Sequence, residues 1–406
     1  EGLTRPTDAA LALNNQLAGL VAGATQAQPA ASCPAPGSLT IKAYEIGATQ
    51  RILDTLVQGY RLYCPDIAVA INLLPPSAAI RLSSDDNRFR FDSDLLFDLY
   101  GDVWSLIQNG QAADLTDLIA NDAVQSLRAQ SLVGLRSNGR LYGLPLTIDV
   151  AALYFNRDLV ADPAVTLDDL RSQALAGVPV TLDSTFDRAY WGIGAFGGQL
   201  ADEQGRFALD PIAVTDWLNW LLESRDQNNL QLEPGIEALQ QLFTEGRSAY
   251  FLGYLANATD LRARLGGNRL AAIVLPEGPR GAGQPLMRVG SMIMNPAIDA
   301  EQSALATHFL TYAIGADAQQ RLLDTGLIAP TNAGVNLTGR PTASVFLAQA
   351  QNAQIFNSLL APPAVANQLR SLFNQVLNQG APVTESVEQF YHSLADYQQQ
   401  FPSFVL

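Results

Sequence analysis

Lysine, histidine and cysteine are nearly missing from this chain: Lys42 is the only lysine among 406 residues, beside two histidines and two cysteines. Both histidines, His308 and His392, fall in helical patterns, and no H-E-x-x-H, C-x-x-C or second ligand accompanies them. The usual zinc arrangements are therefore excluded, and no metal or cofactor is expected. A G-x-S-x-G elbow is also absent, which removes the commonest serine-hydrolase signature. Basic residues number 24 against 39 acidic ones, a formal charge of −15, which argues against a nucleic-acid partner. No run of roughly 18 apolar residues occurs, so no membrane-spanning helix is expected.

What is present is a long, soluble, globular chain. With 48% hydrophobic residues, its length calls for two or more lobes and not one core. Residues 1–38 stand apart, with a candidate helix at Asp8–Val21 and a Pro/Ala/Gly linker at Gln26–Ser38. From Leu39 onward strand and helix alternate. Leu39–Tyr44, Ala68–Leu74 and Asp94–Leu99 read as strands, and Gln50–Tyr63 as an amphipathic helix. That alternation predicts an α/β lobe with a mostly parallel sheet. Beyond Asn156 helices dominate, at Ile212–Ser224, Gly235–Phe243, Ala300–Ile314 and Val365–Asn378. Short strands intervene at Ala249–Leu252, Leu270–Leu275 and Val289–Met294.

Cys33 precedes the first strand and Cys64 ends the helix after it, so a disulfide between them is geometrically reasonable. It would close a loop of about 30 residues, contribute on the order of 3 kcal/mol and imply an oxidising compartment. Two unrelated buried thiols are the alternative. The chain begins at Glu1 with no basic n-region and apolar h-region, so a signal peptide is not expected within it. Ala30-Ala31-Ser32-Cys33 faintly resembles a lipoprotein cleavage box, but Asn14, Asn15, Gln16, Gln26 and Gln28 are too polar for a signal core.

Gly192, Gly194 and Gly197 satisfy G-x-G-x-x-G, yet Phe186–Trp191 before them looks helical and supplies no first strand of a βαβ unit. Packing glycines are the expected explanation. The segment Gly139–Asp158 is more informative. It reads as a turn, a strand bent at Pro145, and a second buried strand, with Asp149 as one acid between two apolar runs. A hinged crossing between two lobes would be written this way. Acids and aromatics gather near likely strand ends: Asp98, Tyr100, Asp102 and Trp104; then Phe186, Asp187, Tyr190 and Trp191; then Tyr254. Carboxylates accept from vicinal hydroxyls and aromatic faces stack on sugar rings, which suits a neutral polyhydroxylated ligand. A cation would also fit, through charge and cation–π attraction. Any single aromatic is more often core, and a strand-end aspartate is as often a helix cap.

The run from Asn138-Gly139-Arg140-Leu141-Tyr142-Gly143-Leu144-Pro145 to Tyr154-Phe155-Asn156-Arg157-Asp158-Leu159 resembles the "NGKxYGxP … xYNKDL" segment of extracytoplasmic solute-binding proteins of ABC importers, in the maltose-binding-protein-like class. Leu242–Tyr250, Ala271–Pro276 with Gly290-Ser291, and Ser303–Gly334 are similar to three further segments of that class. The resemblance covers roughly Leu39 to Gln398. It implies an α/β, two-lobed periplasmic-binding-protein fold with crossing hinge strands and an interlobe cleft. One lobe would comprise 39–147 plus 290–340, the other 148–289 plus 341–406, with 1–38 as an extension. Asp149 matches a position where an acid commonly binds sugar hydroxyls, and Tyr100–Trp104 matches a first-lobe contact loop. Phe186–Trp191 and Tyr254 match aromatic positions of the second lobe. Asn367 falls near where some members present a stacking tryptophan, and Ser83–Asp94 lacks the Gly-rich run often found there.

The resemblance implies a non-enzymatic receptor that captures a mono- to trisaccharide or glycoside and delivers it to an ABC permease. It would act as a monomer in the periplasm or outside the cell, with lipid anchoring left open. The same fold holding a cationic or amino-acid-like solute, a carbohydrate-active enzyme using two of the carboxylates, and a sensor or interaction module are the other readings.

Overall fold

The computed structural model describes residues 32–76, 91–99, 103–202, 206–227, 230–355 and 362–401. The candidate helix Asp8–Val21 lies outside them. In chain order the strands are β1 (Gly37–Tyr44), β2 (Ile67–Leu74), β3 (Leu95–Asp98), the hairpin β4 (Arg136–Ser137) and β5 (Arg140–Leu141), β6 (Leu144–Val150), β7 (Ala152–Asn156), β8 (Val180–Asp183), β9 (Leu230–Glu233), β10 (Tyr250–Gly253), β11 (Leu270–Ile273), β12 (Leu286–Met294), β13 (Ala329–Pro330) and β14 (Gln354–Ile355).

The first lobe is built on the sheet β13-β6-β12-β3-β1-β2, with β14 paired to the outer end of β12. The helix Thr49–Tyr63 covers it because Ile52, Leu53, Leu56, Val57 and Tyr60 fall on one stripe, and all are buried. Expectation and structure part over strand direction. β1 pairs in parallel with β2 and β3, but β12 runs antiparallel to both β3 and β6. The sheet is mixed because β12 returns from the second lobe and enters against the local strands.

The second lobe holds the antiparallel sheet β10-β7-β11 and the parallel pair β8-β9. Its core gathers the helices Pro211–Gln227, Pro363–Phe373 and Val383–Gln400 around Trp217, Tyr190 and Phe373. A separate core packs Leu39, Phe97, Leu146 and Phe309 in the first lobe. A third, under the crossing strands, joins Ile148, Val150 and Tyr154 to Phe243, Phe251 and Phe346.

The route between lobes follows from local chemistry. Asn138 (φ 50°) and Gly139 (φ 77°) make the two-residue turn of the β4–β5 hairpin. β6 then pairs with β12, and the register slips between Gly290 and Ser291, opposite Thr147 and Pro145. A proline that cannot donate thus sits at a bulge, where no donor is required. Gln319, fully buried, anchors this end of β6: its amide donates to Leu146 O (3.1 Å) and Ala313 O, and its carbonyl accepts from Thr331 N (2.8 Å). After Val150 the chain enters β7 and the other lobe.

Cys33 and Cys64 form the expected disulfide, with Cα atoms 5.6 Å apart. It joins the segment before β1 to the C-terminal end of the helix Thr49–Tyr63. Both ends lie at the edge of the sheet where β1 and β2 begin, opposite the edge where β1 and β3 end in Tyr44 and Asp98.

Candidate functional site at the crossing strands

Two apolar strands each carry one charged residue where they cross, and the register sets them face to face: Asp149 on β6 opposite Arg288 on β12. Asp149 is half-buried, and among the described residues no hydrogen bond reaches its carboxylate. Burial pushes this carboxyl up to about 6, with the charges of Arg288 and then Arg188 pulling the other way.

The short helix Phe186–Ala189 brings Asp187 and Arg188 to the same place. Arg188 is committed inward. Its guanidinium pairs with Asp183 (2.9 Å) at the end of β8 and donates to the Leu252 carbonyl of β10. It also lies over the Tyr254 ring, 5.2 Å from the centroid. Asp183 is 3% exposed, and burial raises its carboxyl despite hydrogen bonds from Thr185 and the charge of Arg188. Burial likewise raises the Tyr254 hydroxyl, with Arg188 opposing and Asp149 adding to the rise.

Asp187 bridges two arginines. Arg370, from the helix Pro363–Phe373, donates to both of its oxygens at 2.7 and 2.9 Å, and Arg288 stands 3.7 Å away. Asp187, expected as an acceptor for ligand hydroxyls, thus already accepts one bond on each oxygen from a bidentate arginine. Its side chain positions two guanidinium groups. Asn367 is exposed and accepts from Arg370 at 3.2 Å, so it belongs to the same wall.

The first lobe contributes the ends of β1 and β3. Asp98 is 8% exposed and sits opposite Ser291 of β12, three residues along from Arg288, roughly 10 Å on a strand. Tyr44 ends β1 beside it; burial, then Asp98, then Asp92 hold its hydroxyl protonated. Lys42, two residues back, pairs with Asp92 at 2.6 Å.

The structure therefore brings Asp98, Asp149, Asp187, Tyr254 and Asn367 around the crossing. It sends Phe186, Tyr190 and Trp191 elsewhere. These rings are 1%, 0% and 3% exposed and serve the second-lobe core: Phe186 packs edge-on against Tyr190 and Phe373, and Trp191 against Trp217. Tyr100 and Asp102 lie outside the described residues. Trp104 is in the helix Val103–Gln108, and its side chain is outside the described set. The arginines Arg188, Arg288 and Arg370 and the tyrosine Tyr44 are site residues that sequence reasoning missed. Arg288 had a visible signal, a single cation inside the apolar strand Leu286–Met294, mirroring Asp149 in β6. Among the described residues no cluster of metal-ligating side chains occurs, and no helix is long and apolar enough to cross a membrane.

Two lobes joined by crossing strands, with convergent polar groups at the crossing, define a binding protein of the hinged two-lobe kind. The chain belongs to the bacterial extracellular solute-binding protein family, whose sequence profile matches residues 84–349. It is 22% identical over 293 residues to a binding protein of Brucella abortus strain 2308, covering 65% of this chain and 69% of that one. A maltooligosaccharide ABC transporter solute-binding lipoprotein of Streptococcus pneumoniae serotype 4 is 30% identical over 127 residues, 29% of either chain. Among solved structures, the GacH receptor of Streptomyces glaucescens superposes with a TM-score of 0.74 at 16% identity, over 92% of this chain and all of that one.

Proposed function

We propose that this protein captures a small saccharide or glycoside, of one to three sugar units, between its lobes and hands it to the permease of an ABC importer outside the cytoplasm. The lobes would be 39–147 plus 290–340 and 148–289 plus 341–406, a division supported by separate first-lobe and second-lobe cores. The observation that carries the reading is Asp149: a half-buried carboxylate on a crossing strand, without a hydrogen-bond donor among the described residues, beside Arg288. Such a group is costly to leave unsatisfied, and ligand hydroxyls are donors that would satisfy it. The arginines supply donors for the remaining hydroxyl oxygens. Family membership supports the receptor role, and the pneumococcal relative is named for maltooligosaccharide transport. The GacH receptor was crystallised with acarbose.

The cationic-solute reading weakens, because Arg188 neutralises Asp183, and Arg370 with Arg288 neutralises Asp187. A glycosidase would need two carboxylates free to act as acid and base across one cleft, and two of the acids are tied to arginines. The test is a thermal-shift screen of mono-, di- and trisaccharides, glucosides, polyamines and amino acids. A sugar present at about 100 times its Kd should stabilise by about 2.7 kcal/mol and raise the melt by several degrees. Shifts from polyamines or amino acids alone would overturn the saccharide reading. With the sugar in hand, Asp149→Ala should weaken affinity at least tenfold, about 1.4 kcal/mol, as read by calorimetry. Its melting temperature should not fall, since the residue removed is a desolvated, unbonded charge.

A further inference from the structure

Asp149 stands where its own ionisation and the ligand's grip meet. Arg288 faces it from β12, Arg188 and Asp187 from the helix Phe186–Ala189, and Tyr254 from the segment after β10. Arg370 reaches the group only through Asp187, and β13 offers just Ala329 and Pro330 alongside β6. Neither histidine takes part. His308 bonds to the Tyr60 hydroxyl at 2.8 Å and stacks on Tyr63 in the first lobe. His392 lines a groove with Ile212 and Tyr391 on the second.

We infer, on the saccharide reading above, that capture is proton-linked: ligand hydroxyls bind the Asp149 carboxylate and not the carboxylic acid, so acidification releases the ligand. A carboxylate offers two accepting oxygens, whereas the acid must point its own proton somewhere and loses acceptor capacity. Beside Asp149, Asp183 is paired with Arg188, and Asp187 with Arg370 and Arg288. Among the described residues no hydrogen bond holds Asp149 ionised, whereas Asp187 accepts from Arg370 and Asp183 from Thr185.

The sign follows. Burial places the empty-site carboxyl at about 6, and arriving hydroxyl donors favour the ionised form and lower it. Binding then expels a proton, and affinity is at full strength above about pH 7. It declines as the pH drops through about 6, reaching a loss of about tenfold one unit below the empty-site value.

The experiment is titration calorimetry with maltose and maltotriose on the whole chain, at about pH 7.5 and about pH 5. At about pH 6 it is repeated in two buffers of different ionisation enthalpy, with circular dichroism confirming the fold at each pH. The expected result is a Kd about tenfold higher at the acid end and release of about half a proton near pH 6. Asp149→Asn should bind more weakly, with a flat pH profile and no buffer dependence. The proton count is read on the unsubstituted protein, so a poorly folding variant does not rescue the idea. Equal affinity at both pH values without proton release overturns proton linkage and leaves the saccharide reading standing. Binding of neither sugar at any pH overturns proton-linked capture of these glucosides, and the wider saccharide reading then stands or falls on the thermal-shift screen.

Discussion

Arg188→Met is expected to destabilise the protein by about 3–5 kcal/mol, because it leaves a buried carboxylate without its counter-charge. The Asp183 side chain is 1% exposed and that of Arg188 11%, so water cannot replace the guanidinium. The same substitution removes the donor to the Leu252 carbonyl and the cation over Tyr254. Urea denaturation should show a lower midpoint with an unchanged slope. Asp183→Leu together with Arg188→Met should recover most of the loss, since an apolar pair avoids the stranded charge. The pH dependence is a second signature. In the single variant Asp183 keeps a folded-state pKa above its unfolded one, so the penalty is present at neutral pH. It shrinks as the pH falls through the folded value and a proton is taken up on folding. A deficit that is equal at about pH 8 and about pH 5 would mean that Asp183 finds another partner.

That pair shows why only part of the site could be read from residues alone. The crossing strand was legible because Pro145 and Asp149 break an apolar run in a way a core strand does not use. The disulfide was legible because a strand and the helix after it fix where their ends meet. The arginine wall was not, since Arg370 meets Asp187 across 183 residues of sequence and no local pattern encodes that meeting. Asp187 therefore looked like an unpartnered acceptor, although two arginines stand against it. The aromatics failed differently. Phe186, Tyr190 and Trp191 follow a strand end, as ligand-stacking rings would, but they ride two short helices whose inward face is the lobe core. The first-lobe sheet was expected to be mostly parallel because β1, β2 and β3 are. The reversal enters with β12, which reaches the sheet only after the chain has passed through the second lobe.

The glycines after that cluster give the second large effect. Trp217 lies in the helix Pro211–Gln227, fully buried, with Trp220 stacked 5.2 Å away and Trp191 tilted at 5.0 Å. Its indole N–H donates to Ala189 O at 2.9 Å. Gly192 lets the ring sit directly on the helix Trp191–Ala195: a Cβ there would stand 2.2 Å from the indole. Gly194 admits Gln284 in the same way, and Gly197 takes a φ of +83° at the turn. G-x-G-x-x-G is thus a packing device here, with an indole and not a pyrophosphate against its first glycine. Trp217→Ala should cost about 3–5 kcal/mol, from lost contacts, a residual cavity and the orphaned Ala189 carbonyl. That is a large share of the 5–15 kcal/mol typical of a folded domain. Gly192→Ala should cost about 1–3 kcal/mol by overpacking a rigid ring. The double variant should be markedly less damaging than the sum, because the added methyl then points into the space the indole vacated. Additive losses would place the strain of Gly192→Ala somewhere other than Trp217. Since none of these groups faces Asp149, the folded fraction of each variant should keep its ligand affinity, which separates the scaffold of the second lobe from the site it carries.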